Sequence, residues 1–313
     1  MALSLGYLLP TRELIMDGQH EALSTLTLAD RAEQLGLDSV WIGDSVLAKP
    51  RHDPLAMIAA IAGRSRRLKV GTAVLLPLLR NPVVLAQQLA TIDQISAGRL
   101  ILGLGIGADQ PEVRAEFEAV GTPFDKRVGR LLEAMRLYRA LWSGEPVDWE
   151  GRWRVQSATL APKPYTPEGP PMWAAGNVPA ALKRAGTYFD GWFPSGPSDA
   201  SVWGEQWRAV QDYARDVGRD PGAMTGAAYL TLSVDDDVAK ADDRLNRYLS
   251  DYYNQPAEAI RRRQGCYAGA LAGATAWLRG FVEAGATHLA LRFIGDHERD
   301  MEALAKMRGE LES

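Results

Sequence analysis

Apolar positions along this chain alternate between short continuous runs and runs at helical spacing. Residues 69–76 form a continuous run rich in Val and Leu, which is typical of a strand buried on both faces of a parallel sheet. Asn81 and Pro82 then supply an N-cap oxygen and a proline at the first helical position, and apolar residues recur at helical spacing until Gly98. A second apolar run follows at 100–104. This stretch predicts a strand, helix, strand unit of an α/β protein.

The same alternation extends over the whole chain. The predicted strands are 3–9, 38–43, 69–76, 100–104, 172–175, 190–193, 227–234 and 287–293. The predicted helices are 20–35, 55–62, 82–95, 112–142, 179–185, 200–217, 237–252 and 274–283. Eight strands that alternate with helices predict a (β/α)8 TIM barrel, and a doubly wound open sheet with the same number of strands remains the alternative.

One stretch interrupts this alternation. Residues 144–171 are rich in turn residues, prolines and aromatic residues, which predicts an inserted hairpin and loop after the fourth β/α unit. The chain of 313 residues suits a barrel of about 250 residues plus insertions. We therefore expect residues 1–313 to form a single barrel domain with an inserted region near 144–171.

Composition narrows the class of protein. The hydrophobic share of 46% and charged share of 24% are ordinary for a globular protein, and the net charge of −4 argues against nucleic-acid binding. Cys266 is the only cysteine in the sequence, which excludes an internal disulfide and a Cys-rich zinc site. No apolar run approaches the roughly 18 residues of a membrane span, and the first residues lack a charged signal region. A cytoplasmic location without membrane partners is the resulting expectation.

Polar residues at the end of the second predicted strand are candidates for chemistry. Asp44 and Ser45 follow that strand directly, and the carboxyl ends of barrel strands carry active sites. His52 precedes the next helix and is the histidine best placed to reach the barrel mouth. The alternative interpretation makes Asp44 a loop cap and His52 a structural residue of the capping loop. No two of the four histidines have the spacing of metal ligands, so no metal is expected.

Glycines and a helix start suggest places for a ligand. Gly103, Gly105 and Gly107 leave one side of the backbone bare at a strand end, where a flat or anionic group can approach. A dinucleotide-binding interpretation of these glycines is weak, because the full G-x-G-x-x-G spacing is missing.

A second candidate ligand site follows the fifth predicted strand. Gly176, Asn177 and Val178 come between that strand and a helix start, an arrangement typical of phosphate sites, with an unliganded N-cap as the alternative. Ser195 and Gly196 follow the next strand and are further candidate donors from the neighbouring loop.

Arg292 and three tryptophans complete the candidates. Arg292 lies near the end of the last predicted strand, where it either meets an anionic substrate or pairs with a structural carboxylate. Trp41, Trp173 and Trp192 lie on or near strands, where core packing and a flat apolar wall for a ring are both open.

Several motifs together resemble one known family. They are VWIGDS at 40–45, the strand, helix, strand unit at 71–107, EFEAVGTPFDKRVGRLLEAM at 116–135, PPMWAAGN at 170–177 and FDGWFPSG at 189–196. Over nearly the whole chain, the sequence is similar to the bacterial luciferase-like superfamily of flavin-dependent oxidoreductases, which use FMN or the deazaflavin coenzyme F-420. The resemblance implies a barrel with an insertion, a cofactor across its C-terminal mouth and frequently a homodimer. It also implies a non-prolyl cis peptide near Ala73 and Val74, behind the central cofactor ring.

Two positions depart from the family pattern. Ser45 stands where the deazaflavin-dependent sugar-phosphate dehydrogenases have a histidine that is thought to serve hydride transfer, and no basic residue follows soon after Gly107, where luciferase has an arginine that helps hold the FMN phosphate. The first departure favours a monooxygenase that uses reduced FMN and oxygen on a small organic substrate, with a separate flavin reductase as partner. It also predicts that reduced FMN binds more tightly than reduced F-420. Hydride transfer with F-420, a non-catalytic flavin-binding barrel and a metal-dependent barrel hydrolase are the alternatives.

Overall fold

Parallel strands close into a barrel within residues 3–312, which are the residues that the computed structural model describes. The strands are β1 (Ser4–Leu8), β2 (Ser39–Ile42), β3 (Lys69–Thr72), β4 (Leu100–Leu104), β5 (Val147–Glu150), β6 (Arg154–Ala158), β7 (Met172–Ala174), β8 (Gly191–Trp192), β9 (Thr225–Val234), β10 (Cys266–Gly269) and β11 (His288–Phe293). The helices are α1 (Glu13–Met16), α2 (Leu23–Gln34), α3 (Pro54–Arg64), α4 (Pro82–Ser96), α5 (Pro111–Ala119), α6 (Arg127–Trp142), α7 (Pro179–Tyr188), α8 (Ala200–Asp216), α9 (Val238–Tyr253), α10 (Ala257–Arg261), α11 (Leu271–Glu283) and α12 (His297–Glu312).

Strand pairing shows that the sheet is closed. Neighbouring strands follow the order β9, β11, β1, β2, β3, β4, β7, β8, and β8 pairs again with β9. The pairs are parallel in every case, with β1 in register between β2 and β11. The described residues thus form eight barrel strands, which confirms the TIM barrel and rules out the open sheet.

The starts of α3 and α4 explain why the sequence predicts both helices. The side chain of Asp53 accepts hydrogen bonds from the amides of Leu55 and Ala56, with Pro54 as the first residue of α3. Asn81 caps α4 in the same manner, followed by Pro82. A capping oxygen followed by proline satisfies the amides that a helix start leaves free and fixes the first backbone angle.

Large aromatic side chains fill the barrel interior below its mouth. Trp41 contacts Trp173 and Phe193, with ring centroids 5.3 and 4.7 Å apart. The indole nitrogen of Trp41 donates to Ser39 Oγ, which lies 2.9 Å from Nε2 of the buried His288. Trp41 and Trp173 are therefore core residues of the barrel floor rather than walls of the mouth.

The structure adds elements that the sequence analysis does not predict. The strand β10 pairs in parallel with the second half of β9, outside the closed barrel. The region predicted as one helix at 112–142 is divided into α5 and α6 by a turn that includes Gly121 at φ +70°. The inserted segment 144–171 contains an antiparallel hairpin of β5 and β6.

Candidate active site

A cavity of about 700 Å³ opens at the carboxyl ends of the barrel strands. Its lining comes from the loops after β2, β3, β4, β7 and β8, together with side chains of β9 and β11 and the end of α9. Since this is the face on which barrels of this type carry their chemistry, the cavity is the candidate active site.

A cis peptide bond shapes one wall of the cavity. The bond joins Ala73 and Val74, directly after β3, and both residues line the cavity. The prediction of a non-prolyl cis peptide at this place is confirmed. Leu104 and Ile106 extend the same apolar wall.

Protein atoms pack against the bare side of the alternate glycines at the end of β4 and just after it, so that side is not open to a ligand. A Cβ on Gly103 would collide with the carbonyl oxygen of Thr72, and a Cβ on Gly105 would lie 2.7 Å from Val74 Cγ2. The expectation that the bare side of this strand end serves the approach of a ligand is corrected accordingly. Gly103 and Gly105 face the segment at the end of β3 and after it, and Gly107 faces α5, although Gly105 and Gly107 still line the cavity.

Glu116 of α5 organises the loop that follows β2. Its Oε1 accepts hydrogen bonds from Ser45 Oγ at 2.8 Å and from three consecutive backbone amides, those of residues 46–48. Ser45 Oγ in turn accepts from the amide of Lys49 at 2.8 Å. Glu116 is only 1% exposed. This single carboxylate oxygen fixes the path of residues 45–49 along the cavity, and the hydroxyl proton of Ser45 is committed to it.

Asp44 lines the cavity, but its carboxylate is held by an arginine and is not a free base. Its side chain is 1% exposed, and its two oxygens accept from Arg80 Nη1 at 2.6 Å and Nη2 at 3.0 Å. The amide of Leu76 also donates to Asp44, at 2.9 Å. Nη2 of Arg80 also donates to Asp53, the N-cap residue of α3. Asp44 thus joins the loops after β2 and β3.

Two sequence candidates lie beside the cavity rather than in its lining. Nε2 of His52 lies 3.0 Å from the carbonyl oxygen of His20, and His52 is not among the residues that line the cavity in the described structure. Ser195 lines the cavity, whereas Gly196 next to it packs near Trp203.

The turn at residues 176–178 is built to face a ligand. Gly176 has φ +95°, a left-handed conformation that favours glycine, and its carbonyl oxygen accepts from the indole nitrogen of Trp192 at 2.8 Å. Asn177 does not cap α7, because the N-cap position is occupied by Val178, and the described residues provide no side-chain cap there. No side chain of the described structure caps the start of α7, where Pro179 has no N–H and the amide of Ala181 donates to the carbonyl oxygen of Val178. The amide of Ala180 and those of the turn are therefore the donors left for an anion.

Arg184, which the sequence analysis did not single out, adds a positive charge to the same cavity. It lies on α7, lines the cavity, and has no hydrogen-bond or ion-pair partner among residues 3–312. Burial lowers the pKa of its guanidinium from the usual value. The cavity thus has a basic residue on α7, whereas the sequence has none soon after Gly107.

Cationic side chains also gather on the opposite side of the mouth. This cation cluster consists of Arg12, Lys49, Arg51 and Arg292. Arg292 is 4% exposed, donates to the hydroxyl oxygens of Tyr252 and Tyr253 at 3.1 and 3.3 Å, and lies 3.7 Å from Oε1 of Glu13. The same carboxylate oxygen already accepts from Tyr248 at 2.6 Å.

Burial and neighbouring charges change the acidity of these groups. Desolvation, together with the charges of Arg12, Arg51 and Arg292, lowers the pKa of Lys49 to about 8. Desolvation raises the pKa of Tyr229 and Tyr248 well above the usual value, so both phenols are neutral near pH 7.

Neither a metal centre nor a membrane-spanning helix is found in the described part of the chain. The described part of the chain contains no group of three or more His, Cys, Asp or Glu side chains placed to hold a metal ion. Within residues 3–312, no helix has both the length and the apolar character needed to cross a bilayer. The cavity itself offers an apolar wall, a turn at a helix start, one arginine on α7 and the cation cluster on the opposite side.

Residues 3–310 match the model of the luciferase-like monooxygenase family. The chain belongs to this family. Together with the barrel and its cavity, the match places the chain among the luciferase-like oxidoreductases. The resemblance stated from the sequence motifs is confirmed.

Two curated relatives of this luciferase-like oxidoreductase are named F-420-dependent glucose-6-phosphate dehydrogenase. The protein of Kineococcus radiotolerans is 35% identical over 224 residues, which cover 68% of this chain and 64% of the relative. The protein of Intrasporangium calvum is 32% identical over 312 residues, which cover 86% of this chain and 88% of the relative. The first alignment therefore spans slightly less than two thirds of that relative's own length.

A solved structure has the same fold. An F-420-dependent secondary alcohol dehydrogenase, in complex with an F-420-acetone adduct, superposes on this luciferase-like oxidoreductase with a TM-score of 0.80. The superposition covers 100% of both chains at 22% sequence identity. The similarity extends the fold assignment over the full barrel.

Proposed function

We propose that this oxidoreductase binds coenzyme F-420 and transfers a hydride between the deazaflavin and a small organic substrate. The observation that carries the proposal is the identity of 32% and 35% to two relatives whose names specify F-420. When bound, F-420 supplies or accepts a hydride at the central ring of its deazaflavin.

The residues of the cavity fit such a cofactor. Ala73 and Val74 offer a flat apolar wall to the ring, while the turn 176–178 and Arg184 face the place of a phosphate. Backbone amides at a helix start and one unpaired guanidinium are a donor set that favours a phosphate group. The protein's part is then to hold the ring against the wall, to fix the phosphate and to keep water out of the cavity.

Reduced FMN with oxygen is the second candidate, and Ser45 is the observation that favours it. The hydroxyl of Ser45 donates to Glu116, so this position provides no free group for proton transfer in a hydride mechanism. Oxygen chemistry places less demand on such a group, because the flavin itself reacts with oxygen. A separate flavin reductase and a homodimer belong to this second proposal as expectations.

Anaerobic titration of the purified protein with the two reduced cofactors separates the candidates. We expect F-420 to bind at least tenfold more tightly than FMN, a difference of about 1.4 kcal/mol. Calorimetry measures both constants in the same buffer. Equal or tighter binding of FMN, with oxygen consumption in the presence of a substrate, would reverse the proposal.

Replacement of Arg184 by Met should weaken binding of both cofactors about 10- to 100-fold, because each carries a phosphate beside the turn. Asn177→Asp should also weaken binding by placing a negative charge next to that phosphate. Arg215→Met on α8 is the control, since Arg215 is exposed and pairs only with Asp212 in the described structure. Unchanged cofactor affinity in both test variants would show that the phosphate lies elsewhere.

A further inference from the structure

The cation cluster holds more positive charge than its surroundings balance. Within the described residues, its four cations face one close carboxylate, that of Glu13. The closer oxygen of Glu13 is shared with the hydroxyl of Tyr248. Glu112 attracts Lys49 as well, but more weakly than the three arginines repel it. Positive charge therefore remains uncompensated at the mouth.

This charge lies in a place from which water is largely removed. Nε of Arg292 and Nε and Nη1 of Arg12 are buried and have no hydrogen-bond partner among residues 3–312. Buried ionic groups are costly unless they are paired and hydrogen-bonded. Aromatic faces offset part of the cost, because Arg292 lies 4.4 Å from the ring centroid of Tyr252 and Lys49 lies 4.7 Å from that of Tyr253. Neutral rings stabilise cations without cancelling their charge.

The cluster is separate from the proposed phosphate turn. It is carried by β11 and by the segments after β1 and β2, whereas the turn 176–178 follows β7. In the closed strand order, β7 lies four strands from β1, on the opposite side of the barrel. Ala73 and Val74, after β3, lie between the two. A cofactor that spans the wall and the turn leaves the cluster free.

We propose that the cation cluster binds an anionic group of the substrate, so that this oxidoreductase acts on organic anions that carry a carboxylate or a phosphate. The assignment of this anion to a substrate rests on the proposed function, whereas the anion site itself does not. Lys49 and Arg292 face the anion from the cavity wall, and the hydroxyls of Tyr252 and Tyr253, which accept from Arg292, can donate hydrogen bonds to it. Arg51 also lines the cavity, and Arg12 contributes charge from behind the lining.

Calorimetric titration of the cofactor-free protein with sulfate and with malonate tests the anion site. Sulfate represents a phosphate group and malonate a carboxylate, so the tighter probe distinguishes the two sources. We expect Lys49→Met and Arg292→Met to weaken the tighter probe at least tenfold. Arg184→Met, which removes the cation of the proposed phosphate turn and weakens any anion bound there, should leave the affinity of the cluster's own site unchanged.

The pH dependence gives a second readout. Lys49 faces Arg12, Arg51, Arg292, Glu112 and the ring of Tyr253. A bound anion raises the pKa of Lys49 above its value of about 8, so the complex takes up a proton. Sulfate affinity should accordingly fall as the pH rises through 8, and Lys49→Met should remove this fall. The same variant should raise Tm without anion, because it removes a repelling charge.

The outcomes separate the two proposals. Anion binding that is lost in Arg184→Met and kept in Lys49→Met would assign the anion to the cofactor turn and overturn the inference, as would a failure of both probes to bind. Titrations of the same variants with F-420 test the proposed cofactor separately from the anion site. If the wild-type protein does not bind F-420 but binds the anions as expected, the proposed cofactor is wrong and the anion site stands.

Discussion

Replacing Asp44 by Ala should lower the free energy of unfolding by about 3 kcal/mol, near the lower end of the cost of removing one partner of a buried ion pair, because Arg80 still pairs with Asp53. Asp44 is buried and holds Arg80 through two hydrogen bonds, so the substitution leaves a guanidinium without its main acceptor. It also removes the acceptor of the Leu76 amide. Chemical denaturation followed by circular dichroism measures the change.

The comparison variants show whether the buried pair causes this loss. Asp109→Ala removes an exposed ion pair with Arg114, and we expect no measurable change in stability. Arg80→Met in the Asp44→Ala background should recover part of the loss, because neither charge then remains unpaired. A loss as small as that of Asp109→Ala would contradict a structural role for Asp44 and restore its candidacy as a catalytic base.

Replacing Glu116 by Ala should cost about 2 to 4 kcal/mol and loosen the loop after β2, because one buried and three partly buried donors lose their shared acceptor. Ser45 Oγ and the amides of residues 46–48 all donate to one oxygen of Glu116. Hydrogen exchange at those amides should become much faster than in the wild-type protein, while exchange in the barrel strands stays slow.

Glu116→Gln is the matched control. The side-chain amide keeps one oxygen of nearly the same shape, so the loop should hold its path at a smaller cost. Equal protection of the amides of residues 46–48 in the Ala variant and the wild type would show that the loop is held by other contacts. The anion affinity of the Ala variant should also fall, because the amide of Lys49 bonds to Ser45 in this network.

The barrel was readable from the sequence because its signals are local. Apolar runs, capping oxygens and prolines stand next to each other in the chain, and the predicted strand 100–104 coincides with β4. Among the described strands, β10 pairs only with the end of β9. Its four residues are too few to form a recognisable apolar run in the sequence. The last helix, α12, is not among the predicted helices, although its sequence does carry a helical signal. Met301, Leu304 and Met307 recur at helical spacing and are buried.

The site was only partly readable, because its decisive properties depend on burial and on contacts between distant residues. The turn 176–178 has a local signature of strand end, glycine and helix start. Arg184, by contrast, is an ordinary helical arginine until the fold places it against the cavity without a partner. The cation cluster is assembled from loops and from β11, and nothing in the sequence around Lys49 indicates a desolvated amine.

The indole of Trp192 connects the cavity to the outer layer of the protein. It donates to the carbonyl oxygen of Gly176 and lies against Trp203 and Trp207, with ring centroids 5.4 and 6.3 Å away. Three tryptophans therefore stand directly behind the turn that faces the proposed cofactor. Their emission overlaps the absorption of a flavin or deazaflavin ring, so the chain carries an intrinsic optical reporter of occupancy that requires no label.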